Sequence, residues 1–434
     1  MERRLSLLIG AVIAAAFLGP GTVTTAARAG ASHGAALLWA LAFATVACFV
    51  LQEASARLTI VSGRPLAGAL RDRFPGSMGV AVLVLVLGAV VLGCAAYEAG
   101  NILGGVAGAA LATGLPSPVL TWISAILAFT LLWSGRTRHV VSVLGALVGL
   151  MGVAFLITAW QLRPDPSAVL SGLLRPSLPD GSGLLVLGLI GTTVVPYNLF
   201  LGSGLARDQD LDGARWGLAV AIGVGGLVSM AVLVVGTAVP GDFSFESLAA
   251  SLDGRLGSGA GSLFGWGLFA AGFSSAVTAP LAAALTARGL FAAGEVGDVD
   301  EGPWSGRSWR FRAVWGGVLA VGTAFGVAQV KPVPVIILAQ ALNGLLLPVV
   351  AVFLWVVMND GALLGARRNG VAANLLMGTV VCVVTVLGVR GVLRALDSAF
   401  NLPSLAEPGT LAFVSVAVLL GLGAWTWREI RRGG

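Results

Sequence analysis

The sequence predicts an all-α integral membrane protein of about twelve transmembrane helices, organised as a single domain over residues 1–434. Three observations support this prediction. Hydrophobic residues make up 57% of the chain and charged residues only 11%, whereas about a quarter of the residues in a soluble domain are charged. The apolar residues fall into segments that are long enough to cross a bilayer. Two of these segments are interrupted by proline next to glycine or valine, and they divide the chain into two similar halves.

The apolar segments, of roughly 17–25 residues each, account for most of the chain. The predicted spans are 5–32, 35–61, 79–112, 118–133, 139–161, 183–205, 214–238, 260–290, 312–329, 334–358, 371–393 and 409–427. Spans 1–5 form the first repeat (5–161), spans 6–10 form the second repeat (183–358), and the last two spans are additional helices (371–427). Because each repeat contains an odd number of spans, the second repeat enters the membrane from the opposite side.

Basic residues predict the orientation of the chain. With the N-terminus in the cytoplasm, 18 of the 26 lysines and arginines lie in cytoplasmic segments, and Arg28 and Arg57 lie near span ends. The other six lie in loops on the outer side: Arg163, Arg175, Arg255, Lys331, Arg390 and Arg394. By the positive-inside rule both termini are cytoplasmic. The expected location is the plasma (inner) membrane of a prokaryote.

Each repeat opens with a span that contains a helix-breaking motif. Span 1 contains GPGT at 19–22, and span 6 contains TTVVPYN at 192–198. Proline removes a backbone donor and glycine adds conformational freedom. Lipid cannot satisfy the backbone groups that a break frees, so unwound backbone at this depth lines a cavity or a binding site. The pattern predicts a LeuT-type 5+5 inverted repeat, in which helices 1 and 6 are interrupted and a substrate binds at the breaks.

Motifs in several helices resemble, in order, those of the Nramp family of proton-coupled divalent-metal transporters, over most of the first ten helices. The family reads DPGN in helix 1, LQSLAARLG in helix 2, IGATVMPHNL in helix 6 and AAGQSSTIT in helix 8. The matching features here are GPGT at 19–22, LQEASARL at 51–58, IGTTVVPYNL at 190–199, AAGFSSAVT at 270–278 and Gln340 eight residues before Pro348. The resemblance implies a secondary transporter that works by alternating access.

The metal ligands of the family are replaced in this chain. The aspartate and asparagine of DPGN and the methionine of MPHN bind metal in the family, and their counterparts here are Gly19, Thr22 and Val195. Tyr197 stands in place of a histidine that the family uses in its proton or conformational pathway. Without the thioether the site loses a soft ligand that favours late transition metals. Without the aspartate, a dication in the membrane lacks an anionic partner.

Candidate site residues surround the two breaks. The candidate substrate-binding residues are Gly19, Gly21, Thr22, Thr192, Val195, Asn198, Gln340 and Asn343. Among them, Thr22, Asn198 and Gln340 are the candidate metal ligands. The candidate coupling and gating residues are Pro20, Arg28, Glu98, Pro196 and Tyr197.

Three charged positions inside the spans each have a specific interpretation. Glu98 is a rare intramembrane carboxylate, and it either binds a proton or hydrogen-bonds to neighbouring hydroxyls as a packing residue. Arg28 lies on the outer half of span 1, where it either repels cations and attracts anions or extends to the membrane interface. Glu53 lies one turn before Arg57, which predicts an ion pair between them.

Three functions remain open from the sequence. The first is transport of a divalent cation of the magnesium or manganese type, bound partly hydrated by oxygen ligands. The second is transport of a small organic solute such as an amino acid, whose carboxylate would bind backbone N–H groups near Gly21 and Thr22. The third is a non-transporting sensor or scaffold that has kept the fold.

Several partners and activities are excluded or expected on other grounds. The chain contains no P-loop and no GxSxG motif, so neither ATP-driven transport nor enzymatic activity is expected. Its pI of about 10.2 comes from basic loop residues and not from a nucleic-acid-binding surface. The expected partners are the substrate, the lipid bilayer and protons as a candidate coupling ion, with no resident cofactor.

Overall fold

The computed structural model describes residues 19–74, 76–134, 138–206, 209–239, 241–291, 302–400 and 407–433, and all regular secondary structure in these ranges is helical. The α-helices are α1 (Pro20–His33), α2 (Leu38–Ser62), α3 (Leu66–Arg73), α4 (Gly76–Thr113), α5 (Ser117–Ser134), α6 (Arg138–Leu162), α7 (Pro166–Leu174), α8 (Gly183–Thr193), α9 (Pro196–Leu205), α10 (Leu211–Gly236), α11 (Phe245–Leu256), α12 (Ala260–Phe291), α13 (Trp309–Val327), α14 (Pro332–Val357), α15 (Gly361–Leu364), α16 (Val371–Phe400) and α17 (Pro408–Gly433). Residues 5–18 of the first predicted span lie outside the described residues.

The predicted spans correspond to helices wherever the structure describes them. Ten segments of the described chain are long and apolar enough to cross a membrane. The first of these, Pro20–Ser62, joins α1 and α2 and therefore contains parts of two predicted spans. Predicted span 9 is α13, which carries Arg310 and Arg312 in its first turn and is not among these ten segments. The prediction of an all-α membrane protein is confirmed.

The structure shows the predicted break in span 6, and it shows that α1 begins at the position of the break predicted in span 1. Gly19 has an extended backbone, with φ −84° and ψ −179°, and α1 begins immediately after it at Pro20. In span 6, Val194 and Val195 separate α8 from α9, with ψ angles of 81° and 122°, and α9 begins at Pro196. Proline occupies the first position of the helix after each break, where its missing N–H would have no intrahelical partner.

Glycines allow α1 to lie directly against the backbone of α10. A Cβ atom added to Gly30 would overlap the carbonyl oxygen of Leu233, and one added to Gly236 would overlap that of Ala27. Small residues at such contacts are typical of membrane helices, because packing there replaces the hydrophobic driving force that water supplies. This contact holds α1 against α10.

We expect Gly236→Ala to destabilise the protein, because the added methyl group meets a backbone atom that cannot rotate away. A loss of about 1–3 kcal/mol is typical of overpacking. Gly223→Ala, on the same helix, is the matched control, because a Cβ there has open space around it. The measurement is the thermal midpoint of each detergent-purified variant. Equal midpoints for the two variants would contradict the close contact between α1 and α10.

Candidate functional site

The two breaks meet through a pair of buried threonine hydroxyls. Thr22 Oγ1 on α1 lies 2.8 Å from Thr192 Oγ1 on α8. Tyr97 on α4 joins them, since its hydroxyl donates to the carbonyl oxygen of Thr192 at 3.3 Å and lies 3.5 Å from Thr192 Oγ1. The helices α1, α4 and α8, which belong to predicted spans 1, 3 and 6, are therefore connected at one point in the middle of the protein.

Two buried amide side chains lie within the first turn of a helix break or directly against one. Gln340 on α14 packs on Gly21, where an added Cβ atom would overlap its Nε2 atom. Asn198 lies in the first turn of α9, and its backbone N–H donates to the carbonyl of Val195 at 3.0 Å. Among the described residues, neither Gln340 Oε1 nor Asn198 Oδ1 has a hydrogen-bond partner, although both oxygens are buried. Each is an acceptor that a ligand or a ligand-bound water can use.

Tyr197 contributes a second aromatic ring at the break in helix 6. It contacts Tyr97 edge to face, with ring centroids 5.7 Å apart and an interplanar angle of 83°. Its hydroxyl is buried and has no hydrogen-bond partner among the residues that the structure describes. Tyr97 was not among the candidate site residues. A signal was available, because the chain has only two tyrosines and both lie at this site.

A buried serine hydroxyl lies next to the Gly19 position. A Cβ atom added to Gly19 would lie 3.4 Å from Ser275 Oγ on α12, an ordinary van der Waals distance. The Ser275 hydroxyl is buried and has no partner within the described part of the chain. Across those described ranges, no group of three or more His, Cys, Asp or Glu side chains is placed to hold a metal ion. The polar atoms at the breaks are hydroxyl and amide groups.

Glu98 and Asn343 lie at helix contacts around α4 and not between the two breaks. Glu98 is fully buried, accepts a hydrogen bond from Asn101 Nδ2 at 3.3 Å and packs against Gly322 on α13. Its Oε1 atom has no partner in the described ranges. Asn343 Nδ2 donates to the carbonyl of Ala339 at 3.1 Å.

A cavity of about 970 Å³, the outer cavity, lies at the end of the protein that is predicted to face outward. Arg28, Asp242, Glu246 and Lys331 contribute its charges, and Ile337 lies among its lining residues. Ile337 is one turn before Gln340 on α14, so this cavity extends to within one helical turn of the central site. Arg28 Nη1 lies 3.5 Å from Asp242 Oδ1, and the Asp242 side chain is fully exposed.

Hydrogen bonds join α9 to α2 on the side of the protein that is predicted to face the cytoplasm. Ser203 on α9 lies 2.6 Å from Thr59 Oγ1 on α2 and accepts a hydrogen bond from the backbone N–H of Leu66 at 2.7 Å. One turn earlier on each helix, Ser55 Oγ donates to the carbonyl of Leu199 at 2.7 Å. The part of helix 6 that follows the break, α9, is therefore attached to α2 and to the start of α3.

Comparisons with known proteins agree with this architecture. The family model described as natural resistance-associated macrophage protein-like (Nramp) matches residues 10–394. The chain belongs to the Nramp family. One Nramp relative is the divalent metal cation transporter MntH of Verminephrobacter eiseniae, 29% identical over 394 residues, with 86% of this chain and 85% of the relative covered. Another is MntH of Acidiphilium cryptum, 30% identical over 416 residues, with 91% of each covered.

Solved structures support the same fold. The Eremococcus coleocola manganese transporter, in complex with an aromatic bis-isothiourea substituted compound, has a TM-score of 0.74 at 20% identity, with 99% of this Nramp chain and 95% of that chain covered. Mhp1, a nucleobase-cation-symport-1 family transporter, has a TM-score of 0.55 at 15% identity, with 98% and 92% covered. The LeuT-type arrangement is confirmed. The relatives of this Nramp protein are transporters, and it is not an enzyme.

Proposed function

We propose that this Nramp protein transports a divalent metal cation of the magnesium or manganese type by alternating access. The relatives named MntH are divalent metal cation transporters, and a solved neighbour is a manganese transporter. One observation carries the proposal for this chain. Gln340 Oε1 and Asn198 Oδ1, two buried acceptors without partners in the described ranges, lie next to the helix breaks. Leaving such an oxygen unsatisfied costs about 1–3 kcal/mol, which a cation or its water offsets.

The ligand types indicate how the cation is held. Magnesium and manganese bind oxygen ligands, and magnesium retains several waters when few carboxylates are available. Val195, where the family has a thioether, supplies no soft ligand. Thr22, Asn198 and Gln340 are therefore proposed to bind the ion in part through its waters, which keep most of its solvation and reduce the need for an anionic ligand.

The cavity on one side of the site and the hydrogen bonds on the other support a specific order of steps in transport. The outer cavity reaches Ile337, one turn from Gln340, whereas hydrogen bonds from Ser203 to Thr59 and Leu66 hold α9 against α2 on the side proposed to face the cytoplasm. Release to the cytoplasm is proposed to require α9 to separate from α2. Gly19 and the Val194–Val195 segment are proposed to act as hinges, because α1 begins directly after Gly19 and the valines separate α8 from α9.

Proton coupling is proposed to involve Glu98. This buried carboxylate packs between α4 and α13 and has one oxygen without a partner among the described residues. It follows Tyr97 directly, and the Tyr97 hydroxyl contacts Thr192 at the helix 6 break. Protonation or deprotonation of Glu98 therefore changes the charge on the residue that follows Tyr97, the side chain that joins α4 to α8.

The topology and location are also proposals. The excess of arginine in the loops assigned to the inner side supports cytoplasmic termini. The paired breaks at Gly19 and Val194–Val195 support two repeats, 5–161 and 183–358, followed by additional helices over 371–427. The MntH relatives come from bacteria, which supports the plasma membrane of a prokaryote.

A small organic solute is the second candidate substrate. Across the described ranges no acidic or histidine cluster is placed to hold a metal. The N-terminus of α1 lies at the site without a side-chain cap, and a helix N-terminus attracts a carboxylate. The metal cation is positively charged, whereas the carboxylate of the organic solute is negatively charged. Mutations of the charged residues in the outer cavity therefore distinguish the two substrates.

We expect Asp242→Asn to slow uptake of a cation and Arg28→Gln to accelerate it, by about two- to fivefold each at low ionic strength. The reason is that charge in a cleft raises or lowers the local concentration of an ionic substrate, and that salt screens the effect. The measurement is the initial rate of Mn²⁺ uptake at 20 mM and at 500 mM salt. Asp180→Asn, at an exposed residue outside this cavity, is the matched control. If the cavity serves a carboxylate solute, amino-acid uptake will show the reverse order and Mn²⁺ uptake will be absent.

A further inference from the structure

A second cavity, of about 330 Å³, opens on the proposed cytoplasmic side between α2, α10 and α16. The outer cavity and the central site do not share its residues. Glu53 and Arg57 line it from α2, Arg215 lines it from the first turns of α10, and Leu376 and Met377 line it from α16. It therefore combines charged groups at one end with an apolar wall.

The charged end carries two guanidinium groups and one carboxylate. Arg215 donates to Glu53 Oε1 through Nε at 2.9 Å and Nη2 at 2.8 Å, and Arg57 Nε lies 3.1 Å from the same oxygen. Arg57 also donates to the carbonyl of Arg367 and to Asn369 Oδ1, each at 2.7 Å. Arg57 is held by these bonds, and the net charge lining the cavity is positive.

Arg215 is the group that remains accessible. Its side chain is 40% exposed, and its Nη1 atom lies 3.8 Å from Asp212, whose side chain is 97% exposed. A carboxylate so exposed is well screened by solvent. The Nη1 end of Arg215 is therefore able to bind a second anion at the mouth of the cavity.

The apolar wall faces the bilayer. Phe49 and Val50 line the cavity from α2. On α16, Leu376 is 53% exposed, and its neighbours Leu375 and Val371 are 68% and 80% exposed. Because α16 is a membrane-spanning helix, these exposed side chains contact acyl chains. The apolar wall of the cavity therefore extends from the acyl chains of the bilayer to Arg57 and Arg215.

We propose that this cavity binds an anionic phospholipid, with its phosphate on Arg215 and its acyl chains along α2 and α16. Basic pockets between helices on the cytoplasmic side are suited to anionic headgroups. The positive charge at the membrane interface and the apolar wall below it match the two ends of a phospholipid. A free phosphate ion would use only the charged end. The proposal is independent of which substrate the transporter carries.

The test is native mass spectrometry of the full-length protein, purified in detergent and equilibrated with equal amounts of phosphatidylglycerol and phosphatidylethanolamine. Arg215→Gln should lower the bound ratio of the anionic to the zwitterionic lipid about fivefold, the factor expected for one arginine near an anionic surface. Glu53→Gln breaks the same ion pair but removes a negative charge, so it should raise that ratio. Arg64→Gln is the matched control, because Arg64 is an exposed partner of Asp72 outside the cavity.

The opposite signs of the two variants separate lipid binding from a purely structural ion pair. Equal changes in Arg215→Gln and Glu53→Gln would overturn the proposal, as would equal loss of both lipids in Arg215→Gln. Glycerophosphoglycerol, which carries the headgroup without acyl chains, should not compete at millimolar concentration. Effective competition by it would assign the cavity to a soluble phosphate compound and overturn the lipid proposal.

Discussion

Gly19→Asp is expected to increase the affinity of the protein for Mn²⁺ by at least about tenfold, which corresponds to ~1.4 kcal/mol of binding free energy. The substitution places a carboxylate where the family has its metal-binding aspartate. The backbone of Gly19 is extended and accepts any side chain, and the added Cβ atom contacts Ser275 Oγ at an ordinary distance of 3.4 Å. The measurement is isothermal titration of the purified variant with Mn²⁺.

Gly19→Asn is the control for Gly19→Asp, because it has the same size and no charge. We expect it to change the affinity little. Adding Thr22→Asn to Gly19→Asp restores the family pattern further and should increase the affinity again. If Gly19→Asp and Gly19→Asn bind Mn²⁺ equally, the position does not face a cation and the cavity holds a different kind of substrate.

Gln340→Met is expected to reduce Mn²⁺ uptake by at least about tenfold while the protein stays folded. Methionine keeps the length and burial of the side chain but removes the oxygen that has no partner in the described ranges. Gln340→Glu should have the opposite effect on binding, because it supplies a charged oxygen at the same place. The measurements are uptake into proteoliposomes and the Mn²⁺ dissociation constant.

The pair of Gln340 variants also tests the sign of the substrate charge. Under the alternative function, Gln340→Glu would repel a carboxylate solute and weaken binding. Uptake unaffected by Gln340→Met would place the ion elsewhere than next to Gly21. Comparison of their thermal midpoints with that of the unmodified protein shows whether lost uptake reflects lost folding.

Local features of the fold were predictable from the sequence. The start of α1 after Gly19 and the break before Pro196 follow from the backbone chemistry of glycine and proline, which acts within one turn. The ion pair of Glu53 with Arg57 follows from helical spacing and is confirmed at 3.1 Å. Its extension to Arg215, 162 positions away, was not predicted, because it depends on how α10 packs against α2.

The sequence did not predict which side chains of distant segments contact each other. Thr22 and Thr192 were both assigned to the site, but their direct contact depends on the packing of α1 against α8. Arg28 was interpreted as a cation-repelling or an interfacial residue, and neither interpretation included its ion pair with Asp242. Asp242 belongs to the connection after α10, and side-chain pairing across such a connection has no periodic signal in the sequence.

The most direct test of the central claim is Mn²⁺ and Mg²⁺ uptake by the purified protein in proteoliposomes, with and without an inward proton gradient and against protein-free liposomes. The proposed function predicts saturable uptake of at least one of the two ions, lost in Gln340→Met, and accelerated by the gradient if Glu98 couples protons. Folded protein that takes up neither ion under any gradient, but takes up an amino acid, would contradict divalent-cation transport.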